Sequence, residues 1–166
     1  MKTDKKILDA TCGGRSIWFN KTHPDALYFD RRDVEYEQVF GATQCNRRCI
    51  IHPDVVGDFT SLPFDDNTFS LVVFDPPHCF GLKESWFLKR YGTYETLGEM
   101  FDNITKGFKE CMRVLKPDGV LIFKWSEVQI PTPDIIKAFG QKPLFGHHSG
   151  KKSNTNWLCF MKLTEE

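Results

Sequence analysis

The fold of this chain is decided by the stretch Leu71-Val72-Val73-Phe74-Asp75-Pro76-Pro77-His78. An apolar run that is typical of a buried parallel strand ends there in one carboxylate and two prolines. Each proline fixes its own φ angle and lacks an N–H, and Pro76 also holds Asp75 towards an extended geometry. The backbone carbonyls of such a turn can therefore point into a cleft, where an amino group can donate hydrogen bonds to them.

A second strand-to-loop junction lies near the N-terminus, in Ile7-Leu8-Asp9-Ala10-Thr11-Cys12-Gly13-Gly14. The two glycines lack a Cβ, so the backbone can approach a ligand closely, and Asp9 can accept a hydrogen bond from a cationic amino group. Ligands of doubly wound sheets bind at the carboxyl ends of the strands, so we expect both junctions to border one crevice. No Lys-Ser or Lys-Thr pair follows the glycines, which disfavours a phosphate-binding loop.

The composition is that of one ordinary domain. The 166 residues are 40% hydrophobic and carry no net formal charge. This length predicts a single domain over 1–166, and the neutral charge argues against tight non-specific binding of DNA. The N-terminus has no apolar signal-peptide core, and no apolar run approaches the roughly 20 residues of a membrane helix. We therefore expect reduced cysteines, no membrane contact and a cytoplasmic location.

Apolar runs alternate with helical or turn-rich segments, a pattern that predicts an α/β fold with helices on both faces of the sheet. Helices are predicted over 94–115 and 133–139. The last two strands are joined without a helix, so at least one of them is expected to run antiparallel to the rest. The predicted strands are 6–10, 26–30, 55–57, 69–74, 119–125, 143–147 and 156–163.

Three other segments are harder to interpret. Between 15 and 25 there is room for a short helix around Trp18, which Pro24 would end. Residues 33–54 and 79–93 show no clear periodicity, and irregular structure is expected there.

Two acidic residues stand where predicted strands end. Asp30 closes the strand 26–30, a position at which a carboxylate accepts hydrogen bonds from ribose hydroxyls of adenosine ligands. Asp58 and Phe59 follow the strand 55–57, and they can offer an acceptor to an adenine amino group and a ring to its face. A solvated acid and a core aromatic residue would give the same pattern.

The glycine loop, these strand-end acids and the proline turn, in that order, resemble the class I S-adenosylmethionine (SAM)-dependent methyltransferases over nearly the whole chain. The resemblance implies a Rossmann-like, doubly wound, seven-stranded, mostly parallel sheet whose final strand is inserted antiparallel. It also implies S-adenosyl-L-methionine as the cofactor. The positions that match the family's cofactor site are Asp9, Cys12, Gly13 and Gly14 at the methionine part, Asp30 at the ribose, and Asp58 with Phe59 at the adenine.

The turn Asp75-Pro76-Pro77-His78 resembles the Asp/Asn-Pro-Pro-aromatic motif of amino-methyltransferases, which act on exocyclic amines of bases and, in some branches, on protein amides. The resemblance makes these four the predicted catalytic residues: Asp75 orients the amine and the Pro76 carbonyl accepts from it. His78 stands where Tyr, Phe or Trp is commoner. It can stack on the acceptor together with Phe80, but it can also become charged near neutral pH.

This arrangement suits the methylation of a conjugated amine. Such an amine shares its lone pair with a ring and is a poor nucleophile, so hydrogen bonds to Asp75 and the Pro76 carbonyl would favour a pyramidal nitrogen. Holding donor and acceptor in line supplies much of the remaining acceleration. No metal or covalent intermediate is needed, and the product proton leaves through Asp75 or water.

The favoured function is SAM-dependent methylation of an exocyclic base nitrogen, adenine N6 or cytosine N4, in DNA or RNA. A duplex substrate would have to be flipped, whereas a single strand would not. Specificity would come from 79–93, from the C-terminal loop or from a partner subunit. The alternatives are methylation of a protein amide or a small-molecule amine, and a non-catalytic cofactor-binding subunit of a methyltransferase complex.

Other clusters of polar residues favour plainer interpretations. Cys45, Cys49 and His52 lie close enough to suggest zinc, but a fourth ligand is not evident and no metal is predicted. The pairs Arg31-Arg32, Arg47-Arg48 and Lys89-Arg90, and the segment His147-His148 with Lys151-Lys152, are interpreted as exposed charges. Clustering of the arginine and lysine pairs on one rim would instead favour a nucleic-acid contact.

Overall fold

The computed structural model of the protein describes residues 1–40, 45–82, 86–148 and 154–163, with the backbone only at 38–40, 45–47, 87 and 148. The strands in this part of the chain are β1 (Ile7–Asp9), β2 (Ala26–Asp30), β3 (Val34–Phe40), β4 (Cys45–Ile51), β5 (Val55–Val56), β6 (Phe69–Phe74), β7 (Leu115–Ser126), β8 (Phe145–His148) and β9 (Thr155–Met161). The helices are α1 (Trp86–Tyr91), α2 (Leu97–Val114) and α3 (Thr132–Phe139).

One seven-stranded sheet organises the molecule, in the order β5-β2-β1-β6-β7-β9-β8. Strands β5, β2, β1, β6 and β7 pair in parallel. The final strand β9 is antiparallel to both of its neighbours, β7 and β8. This confirms the predicted α/β, Rossmann-like, mostly parallel sheet with an antiparallel last strand, and each predicted strand is present with its ends shifted by a few residues.

The register of the central strands brings the predicted functional segments together. Asp9, the last residue of β1, pairs with Val73 of β6, one residue before that strand ends. Phe74 at the end of β6 pairs with Phe123 of β7. Because these strands are parallel, the loops that follow β1 and β6 leave the sheet at the same edge.

The longest helix, α2, packs against this sheet through one apolar face. Thr96 caps its N-terminus, since the Thr96 hydroxyl accepts from the backbone N–H of Glu99 at 3.1 Å. Ile104 and Phe108 of this helix are buried, whereas Leu97 is exposed. Among the described residues, no helix is both long and apolar enough to cross a membrane. The buried residues of α2 are Met100, Ile104, Gly107, Phe108, Cys111 and Val114.

The prediction of irregular structure over 33–54 is wrong, because β3 and β4 form an antiparallel two-stranded hairpin outside the main sheet. Val34 and Tyr36 alternate with the exposed Glu35 and Glu37, which is the two-residue period of a half-exposed strand. The alternation is short and highly charged, and no Asn-Gly or Asp-Gly turn signals the hairpin. The residues between the strands, 41–44, lie outside the described residues.

The short helix predicted between β1 and β2 is also absent: residues 10–25 form turns. Gly13 and Arg15 both have positive φ angles, +48° and +54°, which a right-handed helix does not allow. The Arg15 guanidinium holds the segment by donating to the carbonyls of Lys21 and His52, and it lies 3.7 Å from the centre of the Tyr28 ring. These contacts join residues far apart in sequence, and local patterns do not reveal them.

Helix α1 lies in the other segment for which irregular structure is predicted, 79–93. It has only six residues, too few for an apolar stripe to be recognised in the sequence. Residues 83–85, which precede it, lie outside the described residues. Each predicted strand and both longer helices are therefore present, and the elements that the sequence did not predict, β3, β4 and α1, lie outside the main sheet.

Gly107 allows α2 to approach the sheet, which makes it a test of this packing. A Cβ at this position would lie 2.5 Å from a Phe59 ring carbon and 2.7 Å from a Phe74 ring carbon. We expect Gly107→Ala to lower the free energy of unfolding by about 1–3 kcal/mol, measured by urea denaturation. Gly98→Ala in the same helix is the matched control, because its Cβ would meet nothing within 4 Å. Equal stability of the two variants would contradict this account of the packing.

Candidate functional site

A cavity of about 770 Å³ lies at the carboxyl ends of β1, β2 and β6. This is within the size range of roughly 300–1,000 Å³ that is typical of small-molecule sites. Its walls come from the loop after β1, the end of β2, the hairpin strand β4, the turn after β6, and the segment from α1 to Tyr94. The two junctions singled out in the sequence therefore border the same cavity, as predicted.

The structure brings together most, but not all, of the predicted site residues. Those in the wall of this cavity are Cys12, Gly13, Gly14, Asp30, Phe59, Asp75 and Pro77. The predicted residues that do not line it are Asp9, Asp58, Pro76, His78 and Phe80.

The glycine loop is fastened to the end of β2. The backbone N–H of Gly13 donates to Asp30 Oδ2 at 2.9 Å, and the N–H of Cys12 donates to the Phe29 carbonyl at 2.9 Å. Gly13 has a φ of +48°, which strains any residue with a side chain, and a Cβ on Gly14 would lie 3.4 Å from the Ile50 carbonyl oxygen. The backbone conformation therefore requires a glycine at position 13, whereas a Cβ at position 14 would make only an ordinary contact with the hairpin.

Asp30 connects several segments of the site, and only 5% of the residue is exposed. Its Oδ1 accepts from the backbone N–H and the Nε of Arg32 at 3.0 and 3.1 Å. Arg32 also donates to the carbonyl of Lys89 in α1 at 3.2 Å. The Asp30–Arg32 pair thus joins the end of β2 to α1. Sequence analysis had assigned Arg32 to the exposed charges, and only its contacts with α1 identify this role.

Asp9 lies behind the cavity wall and is satisfied within the chain. Its Oδ2 accepts from the indole N–H of Trp18 at 2.6 Å, and its Oδ1 accepts from the backbone N–H of Thr11 at 3.2 Å. Burial raises the pKa of Asp9 to about 7, although both hydrogen bonds oppose this shift. The predicted contact between Asp9 and a cofactor amino group stays a prediction, and neither of its oxygens lacks a donor inside the protein.

Phe59 lines the cavity, whereas Asp58 does not. The Oδ1 of Asp58 accepts from the backbone N–H and the hydroxyl of Thr60 at 2.9 and 2.8 Å, which forms a local turn. Phe59 lines the cavity and packs edge-on against Phe74, with ring centres 5.2 Å apart. Only the ring of this predicted adenine pair therefore reaches the cavity wall.

Asp75 is held by contacts from the loop after β1 and from strand β7. Its backbone N–H donates to the Thr11 hydroxyl at 2.8 Å, and its Oδ2 accepts from the ammonium of Lys124 at 2.6 Å. The side chains of Asp75 and Lys124 are only 13% and 18% exposed. Burial raises the pKa of Asp75, and the neighbouring Lys124 ammonium opposes that shift. Lys124 was not singled out in the sequence, although it directly follows Phe123, the β7 partner of Phe74.

His78 is buried below the proline turn. Burial is the main cause that lowers its pKa to about 4, and the Lys124 charge adds to it, while a hydrogen bond to the Pro76 carbonyl acts in the opposite direction. The expectation that His78 becomes charged near neutral pH is therefore wrong for the folded protein. The ring lies 5.9 Å from the ring of Tyr91 and 6.4 Å from that of Trp125, measured between centres.

A smaller cavity of about 200 Å³ lies on the other side of Asp75. Asp75 and Tyr91 line both cavities and so form the wall between them. The smaller cavity is lined by Asp75, His78, Tyr91, Lys124, Ser126 and Thr155.

Phe80, which was predicted to stack on the acceptor, lines neither cavity and packs against the core. Its backbone exchanges two hydrogen bonds with the Gln129 side chain, at 2.8 and 3.1 Å.

The larger cavity is rich in cations although the chain has no net charge. Two acids, Asp30 and Asp75, line it. Members of all three basic pairs noted in the sequence come together in this one cavity. They are Arg31 and Arg32, Arg48, and Arg90. The basic residues that line the cavity are Lys21, Arg31, Arg32, Arg48 and Arg90.

The hydroxyl of Tyr94 is buried in this wall and has no hydrogen-bond partner among the described residues. A buried hydroxyl without a partner is energetically unfavourable, so a ligand that supplies one gains binding free energy. The charges that act on this hydroxyl belong to Arg31, Asp58 and Glu99.

No group of three or more His, Cys, Asp or Glu side chains that could hold a metal ion occurs in the described part of the chain. Cys49 is buried, and the imidazole of His52 pairs with Asp33 at 2.5 Å. The side chain of Cys45 and residues 151–152 lie outside the described residues.

Comparison with known proteins gives the fold. No family model and no curated protein matches the chain. The chain is similar to a TehB-like SAM-dependent methyltransferase from Corynebacterium glutamicum (TM-score 0.55, 16% identity, 95% of this chain and 80% of that one). It is also similar to the N-methyltransferase NodS from Bradyrhizobium japonicum (TM-score 0.57, 11% identity, 96% and 86%).

A third similar structure is a complex that contains the Haloferax volcanii Trm112 methyltransferase activator (TM-score 0.55, 14% identity, covering 100% of this chain and 85% of that one). Identities this low establish a shared fold alone. The chain therefore has the Rossmann-like fold on which these SAM-dependent methyltransferases are built.

The state of Asp9 can be tested by the pH dependence of stability. The pKa of Asp9 in the folded protein is about 7, above the unfolded value of 3.8, so its stabilising contribution is complete below pH 3.8 and is lost as the pH rises through 7. We expect Asp9→Asn to become more stable relative to the wild type over this range, by on the order of 4 kcal/mol. Urea denaturation of both proteins at several pH values measures the difference. A difference that does not change with pH would show that Asp9 is not perturbed.

Proposed function

We propose that this protein is a SAM-dependent N-methyltransferase that methylates the exocyclic amino nitrogen of a nucleic-acid base, adenine N6 or cytosine N4, in DNA or RNA. The observation that carries the proposal is the position of Asp75. It stands at the end of β6, before two prolines, in the wall shared by the two cavities. The larger cavity is assigned to the cofactor and the smaller one to the acceptor amine.

The residues of the larger cavity fit S-adenosyl-L-methionine. Asp30 would face the ribose hydroxyls, and Phe59 would lie against the adenine. The unpaired Tyr94 hydroxyl offers a donor and an acceptor to the nucleoside, and the basic side chains of the wall offer partners for the methionine carboxylate. When bound, this cofactor supplies a methyl group made electrophilic by a sulfonium charge.

Asp75 is positioned to accept a hydrogen bond from an amine. Lys124 occupies its Oδ2, and Oδ1 accepts no hydrogen bond from the described residues. An incoming N–H group can therefore donate to Oδ1. The Pro76 carbonyl, the second predicted acceptor, is already in a hydrogen bond with His78, so it would accept from the amine with its other lone pair.

The charges of the smaller cavity favour a neutral acceptor. The Asp75 carboxylate and the Lys124 ammonium balance each other, and His78 is neutral at neutral pH because burial lowers its pKa to about 4. A protonated aliphatic amine would find no unbalanced negative charge here and would lose its hydration. A base amine or a side-chain amide is neutral and planar, and the proton it loses on methylation can pass to Asp75 or to water.

The cationic wall favours a nucleic acid over an amide-bearing protein. Basic side chains bind phosphate groups and give affinity without reading sequence. Arg31 and Arg90 line the cavity and are exposed, so they can reach a strand that enters it, whereas Arg48, which also lines it, is paired with Glu35. A partner subunit for target recognition is part of the proposal, and one of the similar structures is a complex that contains a methyltransferase activator.

Transfer of a radiolabelled methyl group from SAM tests the function directly. We expect label in single-stranded oligonucleotides that contain adenine or cytosine, and less label in duplexes of the same sequence because the base must leave its stack. Asp75→Asn should lower the rate about 100-fold or more while SAM still binds by calorimetry. Asp102→Asn, an exposed acid on α2, is the control and should keep the wild-type rate.

Three outcomes would overturn this assignment. Label that enters protein and not nucleic acid would favour the amide alternative. SAM binding without transfer to any acceptor would favour a non-catalytic subunit. Full activity of Asp75→Asn would remove Asp75 from its proposed role.

Salt dependence tests the cationic wall. We expect the KM for an oligonucleotide to rise between about 50 and 200 mM salt, because each phosphate contact releases counterions. Arg31→Gln and Arg90→Gln should each reduce the slope of log KM against log salt by about 0.7, the value for one contact with a single strand. Lys109→Gln on α2 removes the same charge from an exposed position outside the cavity and should leave the slope unchanged. Equal slopes in all variants would contradict a phosphate contact here.

A further inference from the structure

We propose that Lys124 is a positioning residue: its ammonium keeps the buried Asp75 ionised and turned so that one carboxylate oxygen is held and the other faces the acceptor amine. The acceptor in this statement rests on the proposed function. The statement about the charge of Asp75 does not, and it can be tested without any methyl transfer.

Strand register places Lys124 beside Asp75. Phe74 and Phe123 are paired across β6 and β7, and Asp75 and Lys124 are the next residues of the two chain segments. The same lysine pairs with Trp157 of the antiparallel strand β9, and its ammonium lies 5.7 Å from the centre of the Trp157 ring. The ammonium is thus held between a carboxylate at 2.6 Å and an aromatic ring, two partners that favour a cation.

No other cation compensates the Asp75 carboxylate among the groups described around it. Asp9 at the end of β1 repels it, and the Thr11 hydroxyl accepts from its backbone instead of donating to its side chain. His78 in its own loop and Tyr91 of α1 share the small cavity with it, and His78 is neutral because burial lowers its pKa to about 4. Lys124 is the cation whose charge and hydrogen bond lower the pKa of Asp75 against the effect of burial.

Ionisation of Asp75 decides whether it can orient an amine. An ionised carboxylate only accepts hydrogen bonds, whereas a protonated carboxyl group can turn its O–H towards the amine nitrogen and occupy the lone pair that must attack. A carboxylate this buried would bind a proton if its cation were removed. Lys124 would therefore act on the acceptor through Asp75, without any contact with the transferred methyl group.

The first experiment measures Asp75 itself in the full chain. Carbon-13 NMR of protein labelled at the aspartate carboxyl carbons follows each titration, and the Asp75 signal is assigned by its loss in Asp75→Asn. We expect Lys124→Met to raise the titration midpoint of Asp75 by about 1–3 pH units, the usual effect of a neighbouring opposite charge. Lys124→Arg, which keeps the charge, should restore most of the wild-type midpoint. An unchanged midpoint in Lys124→Met would overturn the proposal.

A second variant covers the case in which Lys124→Met does not fold. Trp157→Leu removes the ring that holds the ammonium and leaves the lysine in place, so the midpoint of Asp75 should rise above the wild-type value. A midpoint that stays at the wild-type value in folded Trp157→Leu and moves in Lys124→Arg would count against this arrangement.

A pH profile of methyl transfer separates this proposal from the proposed function. The acidic limb of kcat/KM should move to higher pH in Lys124→Met by the same amount as the NMR midpoint, and the activity should recover at alkaline pH. A merely structural lysine would lower activity equally at all pH values, which would overturn the positioning role. If no acceptor is methylated by the wild type, the proposed function fails, and the NMR midpoints still decide the role of Lys124.

Discussion

Parallel pairing of β1, β6 and β7 is the constraint on which the rest of the structure depends. It fixes Asp9 against Val73 and Phe74 against Phe123, so β1 and β6 end within one residue of each other, and β7 continues three residues further to Ser126 at the same edge of the sheet. A shift of one residue in either pairing would turn alternate side chains to the opposite face. The cavity walls, the hydrogen bond from Asp75 to Thr11 and the ion pair with Lys124 all require this register.

Three titratable groups lie at this edge of the sheet. Burial disfavours the charged form of each, and the surroundings of the three groups differ. Asp9 keeps two internal donors, and its pKa rises to about 7. His78 gives up its proton, since burial lowers its pKa to about 4. Asp75 has a cation at 2.6 Å. The result is a single internally compensated ion pair beside the smaller cavity, where an acceptor amine would otherwise meet several competing charges.

Sequence analysis predicted the strands and the edge they share because hydrophobic runs and strand-end acids are local features. Asp30, Asp75 and the glycine loop could be placed in one cavity on that basis, and the structure brings them together. The partners of these residues could not be predicted in the same way. Trp18 is nine residues from Asp9, and Lys124 is 49 residues from Asp75, so each contact depends on a turn or a register that no local pattern specifies.

The errors in the predicted elements have a common physical origin as well. The hairpin β3–β4 and the helix α1 border the cavity instead of building the main sheet. Their positions depend on long-range contacts such as those that Arg32 makes with Asp30 and with the Lys89 carbonyl. Neither apolar periodicity nor a standard turn sequence is needed where such contacts hold an element in place.

The main sheet and the elements that cover the cavity, the hairpin β3–β4 and the helix α1 (together the cover), contribute different charges. This difference explains how a chain without net charge can have a cationic cavity. Asp30 and Asp75 lie at the ends of strands, where neighbouring strands fix their positions. The cover carries Arg90 and also Arg48, which pairs with Glu35 on the neighbouring strand β3. Net charge governs the field at a distance, but phosphate binding depends on the charges within about 8–10 Å of it at ordinary salt. Zero net charge therefore argues against indiscriminate attraction to polyanions and not against a local contact at the mouth of this cavity.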